Sequence, residues 1–293
     1  MNLLKELSGV HISVVGMGYI GRRLFNFLEQ NSEAYNYKVS AFSKSNIEDI
    51  RFKEFDYLFN CAGNTGDFRD KIFETAESNL LLTSFLIQNI KIRKAYVAIS
   101  STRVYGFLND KDVLFTEEYN SWNHGSHLGI DFVYDGTKKL LESMLWNSRN
   151  ERSFRTVICR LSNLYGGYQM NDLNDSTFLK VMVKHAISKT SLKLNQNINN
   201  SKGYIHIDDA VEGLLAAAVF SDQSNIFNLC SGVSYSLEDW LKYLGVSFEL
   251  CSYSTISTHS KNDISRAKKL IYFNPKYFLS NLSLNKIINY ESS

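Results

Sequence analysis

The chain has 293 residues, enough for one large core with a smaller lobe attached, and its 44% apolar and 21% charged residues are those of an ordinary folded protein. Lys plus Arg (32) and Asp plus Glu (30) nearly cancel, with no basic stripe among aromatics, which excludes a nucleic-acid footprint and favours a small-molecule partner. Cys61, Cys159, Cys230 and Cys251 are too scattered for a zinc or redox pair, no apolar run reaches bilayer length, and Met1–Gly9 lacks a signal-peptide core; a cytoplasmic protein with no metal and no membrane contact is expected.

His11–Val15 reads as a buried strand, and it runs into Gly16-Met17-Gly18-Tyr19-Ile20-Gly21 and the helical run Arg22–Glu29. A lone G-x-G-x-x-G says little. A strand before it and a helix after it supply what a pyrophosphate needs, which is close backbone approach around Gly16, Gly18, Tyr19, Ile20 and Gly21 and a positive helix N-terminus. A second strand, Lys38–Phe42, ends in Ser43-Lys44-Ser45, with no carboxylate where the adenosine ribose of NAD is usually bound. A hydroxyl at Ser43 and a cation at Lys44 suit a 2′-phosphate, so of NAD and NADP the sequence leans toward NADP. Lys44 equally suits a solvated loop, and Glu48 or Asp49 can reach back from a short helix near Asn46–Arg51. That helix is all that Ser43–Asp56 has room for, so the crossover to the third strand, Tyr57–Asn60, is abbreviated.

Ile72, Phe73, Ala76, Leu80, Thr83 and Ile87 recur at helical spacing, predicting a helix over Arg69–Ile90 that lays this face on the sheet. A fourth strand, Ala95–Ser100, a helix over Val133–Ser148 with Leu140, Leu141, Met144 and Leu145 inward, and a fifth strand, Thr156–Arg160, follow. Alternation of this kind implies an α/β fold, a doubly wound parallel sheet (Rossmann) over residues 1–165, with parts of 203–232 returning to it. Residues 166–293 read mainly as a smaller C-terminal substrate-binding lobe. They hold Asn- and Ser-rich loops at Asn171–Ser176 and Asn195–Lys202, helices at Thr177–Ser188, Asp208–Phe220 and Leu237–Leu244, and a strand near Asn225–Cys230.

Tyr134 and Lys138 stand four apart at the start of a predicted helix and so share a face, where the ammonium favours the ionised phenol. Tyr-x-x-x-Lys is common by chance; its weight comes from Ser100-Ser101-Thr102, three hydroxyls at the exit of the fourth strand, where open parallel sheets bind ligands. Ser101 is placed to hydrogen-bond a reacting oxygen. His124 and His127 lack further ligands for a metal and read as a substrate-side lid or a solvated turn. His206 reads as a structural histidine and Asp208 as a helix cap.

These motifs together resemble the extended short-chain dehydrogenase/reductase family, in its NAD(P)-dependent sugar-nucleotide epimerase/dehydratase branch. The resemblance spans nearly the whole chain. It adds Asn60-Cys61-Ala62-Gly63, Asn79, Arg160-Leu161-Ser162-Asn163-Leu164-Tyr165-Gly166, Tyr204-Ile205-His206-Ile207-Asp208-Asp209 and Asn228-Leu229-Cys230-Ser231-Gly232 to the residues above. It implies that Ser101 polarises the substrate oxygen, that Tyr134 is the general acid/base, and that Lys138 lowers the Tyr134 pKa and holds the nicotinamide ribose. Cys61, Ala62, Gly63 and Asn79 would join the cofactor site, Asn64, Thr102 and Asn163 would face the substrate, and Lys202 would lie near its phosphates. The helices at 69–90 and 133–148 resemble those that pair in the family's homodimer.

Departures narrow the reading. Thr102 and Arg103 stand where the dehydratases carry an acidic pair, which disfavours water elimination and decarboxylation alike. Gly167 replaces a proline, and Lys202 replaces a forked arginine on the diphosphate. The leading expectation is an epimerase or 4-ketoreductase of a nucleotide sugar in surface-polysaccharide synthesis. A reductase of a different carbonyl compound is the alternative, and a catalytically silent dinucleotide sensor or scaffold is disfavoured by the intact Ser101, Tyr134 and Lys138.

Overall fold

The computed structural model describes residues 2–65, 68–106, 112–119, 132–168, 173, 177–251, 258–281, 283 and 287. Six parallel strands form the central sheet: β1 (His11–Val15), β2 (Lys38–Phe42), β3 (Glu54–Asn60), β4 (Lys91–Ser101), β6 (Arg155–Leu161) and β10 (Asn225–Leu229). Their spatial order is β2-β1-β3-β4-β6-β10. The four last residues of β1 and the six last of β3 are buried, as strands covered on both faces require, whereas β2 is half-exposed because it forms the edge. The short 43–56 link explains that edge: it holds one 3-10 turn, Ile47–Ile50, and the chain crosses straight from β2 to the far side of β1. The reversal between β1 and β3 opens a crevice at their carboxyl ends, where ligands of such sheets bind.

Helix α1 (Tyr19–Tyr35) follows β1 directly with Gly18 as its N-cap. Helix α6 (Ile207–Phe220) is buried on nearly every side, because it lies between the sheet, α1 and α8 (Ser265–Ile271). Ala267, Ile271 and Phe273 join the core formed by β1, β4, β6 and α6, so a segment near the C-terminus returns to the sheet as well as 207–229. A second apolar cluster holds the smaller lobe together: Tyr165, Tyr168, Leu179, Met182 and Val183 from β7 (Asn163–Tyr165) to α5 (Phe178–Ser188), packed on Leu237, Trp240, Leu241 and Leu244 of α7 (Leu237–Leu244). Short strands the sequence did not announce lie outside the central sheet: β5 (Leu114–Phe115), β8 (Leu192–Leu194) and β9 (Ser201–His206), the last pairing with β7 and with Ser234–Ser236.

The expected helix 69–90 differs in its middle and in its face. It runs as α2 (Ile72–Ala76), one π turn (Glu77–Leu81) and α3 (Leu82–Asn89). The buried stripe is Thr75, Asn79, Thr83 and Leu86, while Ile72, Phe73 and Leu81 are exposed. Polar residues point inward because each has a partner there: Thr75 accepts from Asn64 at 3.1 Å, Asn79 donates to Thr137 at 2.9 Å, and Thr83 accepts from Asn60 at 3.1 Å. Helix α4 (Phe132–Asn147) buries Leu141 and Leu145 but leaves Leu140 exposed. His124 and His127 lie outside the described residues, as does much of Asn171–Ser176. Among the described residues no helix is long and apolar enough to cross a membrane.

Candidate active site

The glycine turn is built by contact. Gly16 has φ +91°, and a Cβ there would lie 2.5 Å from the Ala62 nitrogen; one on Gly21 would strike the Gly16 carbonyl oxygen. The β1–β3 register, which sets Val15 beside Asn60, brings the two loops together. A side chain on Gly18, by contrast, would meet no protein atom within 4 Å. Glycine at 18 therefore does not serve internal packing, and it fits a site where a diphosphate approaches the backbone at the start of α1. The Tyr19 hydroxyl donates to the Gly166 carbonyl oxygen and its ring stacks on Tyr168, so that side chain clamps the turn to the smaller lobe. Ile20 packs into the main core.

Across the crevice, Asn60 fixes the 61–63 loop by accepting from the Ala62 N–H and donating to Thr83 and Tyr96. The Cys61 side chain lies against the Gly21 turn, and burial pushes its thiol up to about 12. Gly63 is the meeting point of two polar ends: a Cβ there would be 3.2 Å from both Asn79 Oδ1 and Lys138 Nζ. Asn79 Oδ1 is buried with no hydrogen-bond partner in the protein. An orphaned acceptor, a buried ammonium and a bare glycine backbone at one place fit the ribose end of a dinucleotide.

Ser101, Tyr134 and Lys138 come together at the carboxyl end of β4. Lys138 is buried, donates to the Ile99 carbonyl oxygen at 2.9 Å, and sits 6.0 Å from the Tyr134 ring centre. Burial lowers its pKa to about 8, against the opposing charge of Glu142. Burial pushes the Tyr134 phenol up to about 12; Arg103 pulls it down, Asp135 pushes it up, and a hydrogen bond with Ser101 pulls it down. The strongest charge effect favouring the phenolate thus comes from Arg103, a residue the sequence reading noted only for what it is not.

At the end of β2 the Ser43 N–H and hydroxyl both donate to Asn46 Oδ1, and Lys44 pairs with Glu77 at 3.1 Å. Three of the four expected substrate residues, Thr102, Asn163 and Lys202, line one small cavity of about 20 Å³ with Arg103 and Ser260. Asn64 is not among that cavity's lining; it is tied to Thr75 at the exit of β3. A larger groove of about 600 Å³, with Trp146, Arg149 and Arg266 in its walls, opens at the amino ends of β6 and β10 and contains none of the expected site residues. Strand direction assigns the chemistry to the opposite edge.

The model of the NAD dependent epimerase/dehydratase family matches residues 12–230. The chain belongs to that family. Its sequence is 24% identical to UDP-glucuronic acid decarboxylase 6 of Arabidopsis thaliana, over 89% of this chain and 82% of the relative. Its fold is similar to that of UDP-glucuronic acid 4-epimerase from Bacillus cereus, solved with UDP-glucuronic acid and NAD (TM-score 0.74, 19% identity, 94% and 97% of the two chains). It is equally close to UDP-glucose 4-epimerase from Thermotoga maritima, solved with UDP-glucose (TM-score 0.75, 17% identity, 94% and 97%). In this member of the epimerase/dehydratase family three helical threonines support the site outside the motifs: Thr75, Thr83 and Thr137 hold Asn64, Asn60 and Asn79.

Proposed function

We propose that this chain is an epimerase of a UDP-sugar that works with bound NAD, and that Tyr134 is its acid/base. The observation carrying this reading is the convergence of Ser101, Tyr134 and Lys138 beside Gly63 and the Gly16–Gly21 turn. When bound, NAD supplies the hydride acceptor and donor. Gly16, Gly18 and the start of α1 take its diphosphate, and Gly63, Asn79 and Lys138 take the nicotinamide ribose. Tyr134 removes the proton from the sugar hydroxyl and returns it after the ring has turned, while Ser101 hydrogen-bonds the same oxygen. Thr102, Asn163 and Lys202 hold the nucleotide sugar, and Asn64 borders it.

NAD is favoured over NADP because Lys44, the cation proposed for a 2′-phosphate, is already paired with Glu77, and because the Bacillus cereus structure holds NAD. Epimerisation is favoured over decarboxylation by Thr102 and Arg103, neutral and cationic where the dehydratases carry acids. The sugar class is taken from the relatives, whose names give UDP-glucuronic acid and UDP-glucose. Incubation with NAD and each of these sugars, followed by NMR of the product, is expected to yield an epimer with retained carbon count. A pentose product with release of CO2 would make it a decarboxylase, and no conversion of any UDP-sugar would overturn the reading.

The cell would use this reaction in the cytoplasm, for surface-polysaccharide sugars. A homodimer is proposed through the exposed Ile72, Phe73, Leu81 and Leu140 of the 72–89 helix and α4. Leu81→Glu with Leu140→Glu is expected to turn a dimer into a monomer in sedimentation; a wild-type monomer contradicts it.

A further inference from the structure

We propose that Arg103 is a positioning residue for the proton-transfer step, resting on the reading of Tyr134 as the acid/base: its guanidinium, seated against the Tyr134 ring, favours the ionised phenol while its backbone N–H holds Ser101. The two reacting hydroxyls are thereby set by one residue. The Arg103 N–H donates to Ser101 Oγ at 3.2 Å, leaving the Ser101 proton to point elsewhere. The side chain then turns back over α4, where its guanidinium carbon lies 5.5 Å from the Tyr134 ring centre and 5.2 Å from that of Phe68. Asp135, almost fully buried, anchors Arg103 Nε at 2.8 Å. Phe68 closes the far side, its ring 5.3 Å from that of Tyr134.

A guanidinium is suited to this task in a way Lys138 is not. It keeps its charge throughout the working range. Burial lowers the Lys138 pKa, so of the two cations the ammonium is the more easily lost. Among the described residues the charges that face Tyr134 are Arg103 from the turn after β4, Asp135 and Lys138 from its own helix, and Arg69 behind the Phe68 ring. Asp135 opposes Arg103 but does not cancel it: of the two charges, the guanidinium acts more strongly on the phenol.

The test follows the ionisation of Tyr134 itself and needs no substrate. Protein labelled with tyrosine carrying 13C at Cζ, saturated with NAD, is titrated by NMR, and Tyr134→Phe assigns the signal. Arg103→Gln is expected to move the Tyr134 midpoint up by about one unit or more, or beyond the accessible range, since it removes an opposite charge at close range. Arg103→Lys, which keeps the charge, is expected to restore most of the shift. If Arg103→Gln fails to fold with Asp135 left unpaired, Arg103→Gln with Asp135→Asn carries a smaller upward shift, because the carboxylate that raises the phenol is removed with the guanidinium that lowers it. A Tyr134 signal that titrates at one pH in parent and variant, or in neither, overturns the proposal. An absence of UDP-sugar conversion would overturn only the function proposed above, so the two failures are distinguishable.

Discussion

Tyr134→Phe is expected to lower turnover of the UDP-sugar by about 10²–10⁴-fold, the usual worth of a positioned acid/base. Retention of NAD should be close to that of the parent. The phenol is nearly buried, its ring is packed on Phe68, and phenylalanine keeps that packing, so the loss is confined to the hydroxyl and its contact with Ser101. Lys138→Ala is expected to behave differently and lower both turnover and NAD retention, because Lys138 Nζ supports the Ile99 carbonyl and lies against Gly63. Steady-state rates with the converted UDP-sugar, together with the mass of cofactor carried through purification, separate the two. Parent-like turnover in Tyr134→Phe would remove the proposed acid/base.

The contrast shows what kind of information a single sequence carries. Strand, glycine turn and helix are legible at 11–29 because Gly16 and Gly21 answer to a steric demand of the turn, and the short 43–56 link is legible because chain length limits what can cross over a strand. The helix over 72–89 departs from its expected face for a physical reason. Apolar periodicity places Thr83, Leu80 and Ile87 inward, where they lie, but Thr75 and Asn79 also turn inward because Asn64 and Thr137 satisfy them, while Ile72 and Phe73 are exposed. The π turn at Glu77–Leu81 leaves no periodic trace. The lean to NADP rests on Ser43, Lys44 and the missing carboxylate, and the partner that occupies Lys44, Glu77, is 33 residues away in the chain. Arg103 was invisible as a contributor for the same reason: its role depends on Asp135 and Phe68, which no spacing rule connects to it. The strands of the smaller lobe and the return of α8 are set by tertiary packing on Trp240 and on α6, and short segments such as Asn163–Tyr165 carry too little pattern to announce themselves.

The largest stability effect is expected beneath the site, at a buried network that joins two motif residues, Arg160 and Asn228, through partners the motifs do not name. Arg160 grips Glu142 through Nε at 3.0 and 3.2 Å and a terminal nitrogen at 2.7 Å, and its other terminal nitrogen donates to the Tyr105 hydroxyl at 2.7 Å. Tyr105 passes a hydrogen bond to Asn228, whose N–H donates to Glu117, so β4, β6, β10 and α4 share one polar chain. Ser100 also donates to Glu142, which ties the residue before Ser101 to the helix of Tyr134 and Lys138. Arg160→Ala leaves a carboxylate buried without its cation, and a loss of about 3–5 kcal/mol is expected. Thermal unfolding should then fall by roughly 10 °C. Arg160→Met with Glu142→Leu removes both charges and is expected to regain most of that stability, because an apolar pair replaces a desolvated ionic one. Turnover should not return with it, since Ser100 and α4 lose their common anchor one turn from Lys138. Melting curves and rates measured on the same three proteins decide this. An Arg160→Ala protein as stable as the parent, or a double variant fully active, would mean that the network neither holds the sheet ends nor sets the catalytic helix.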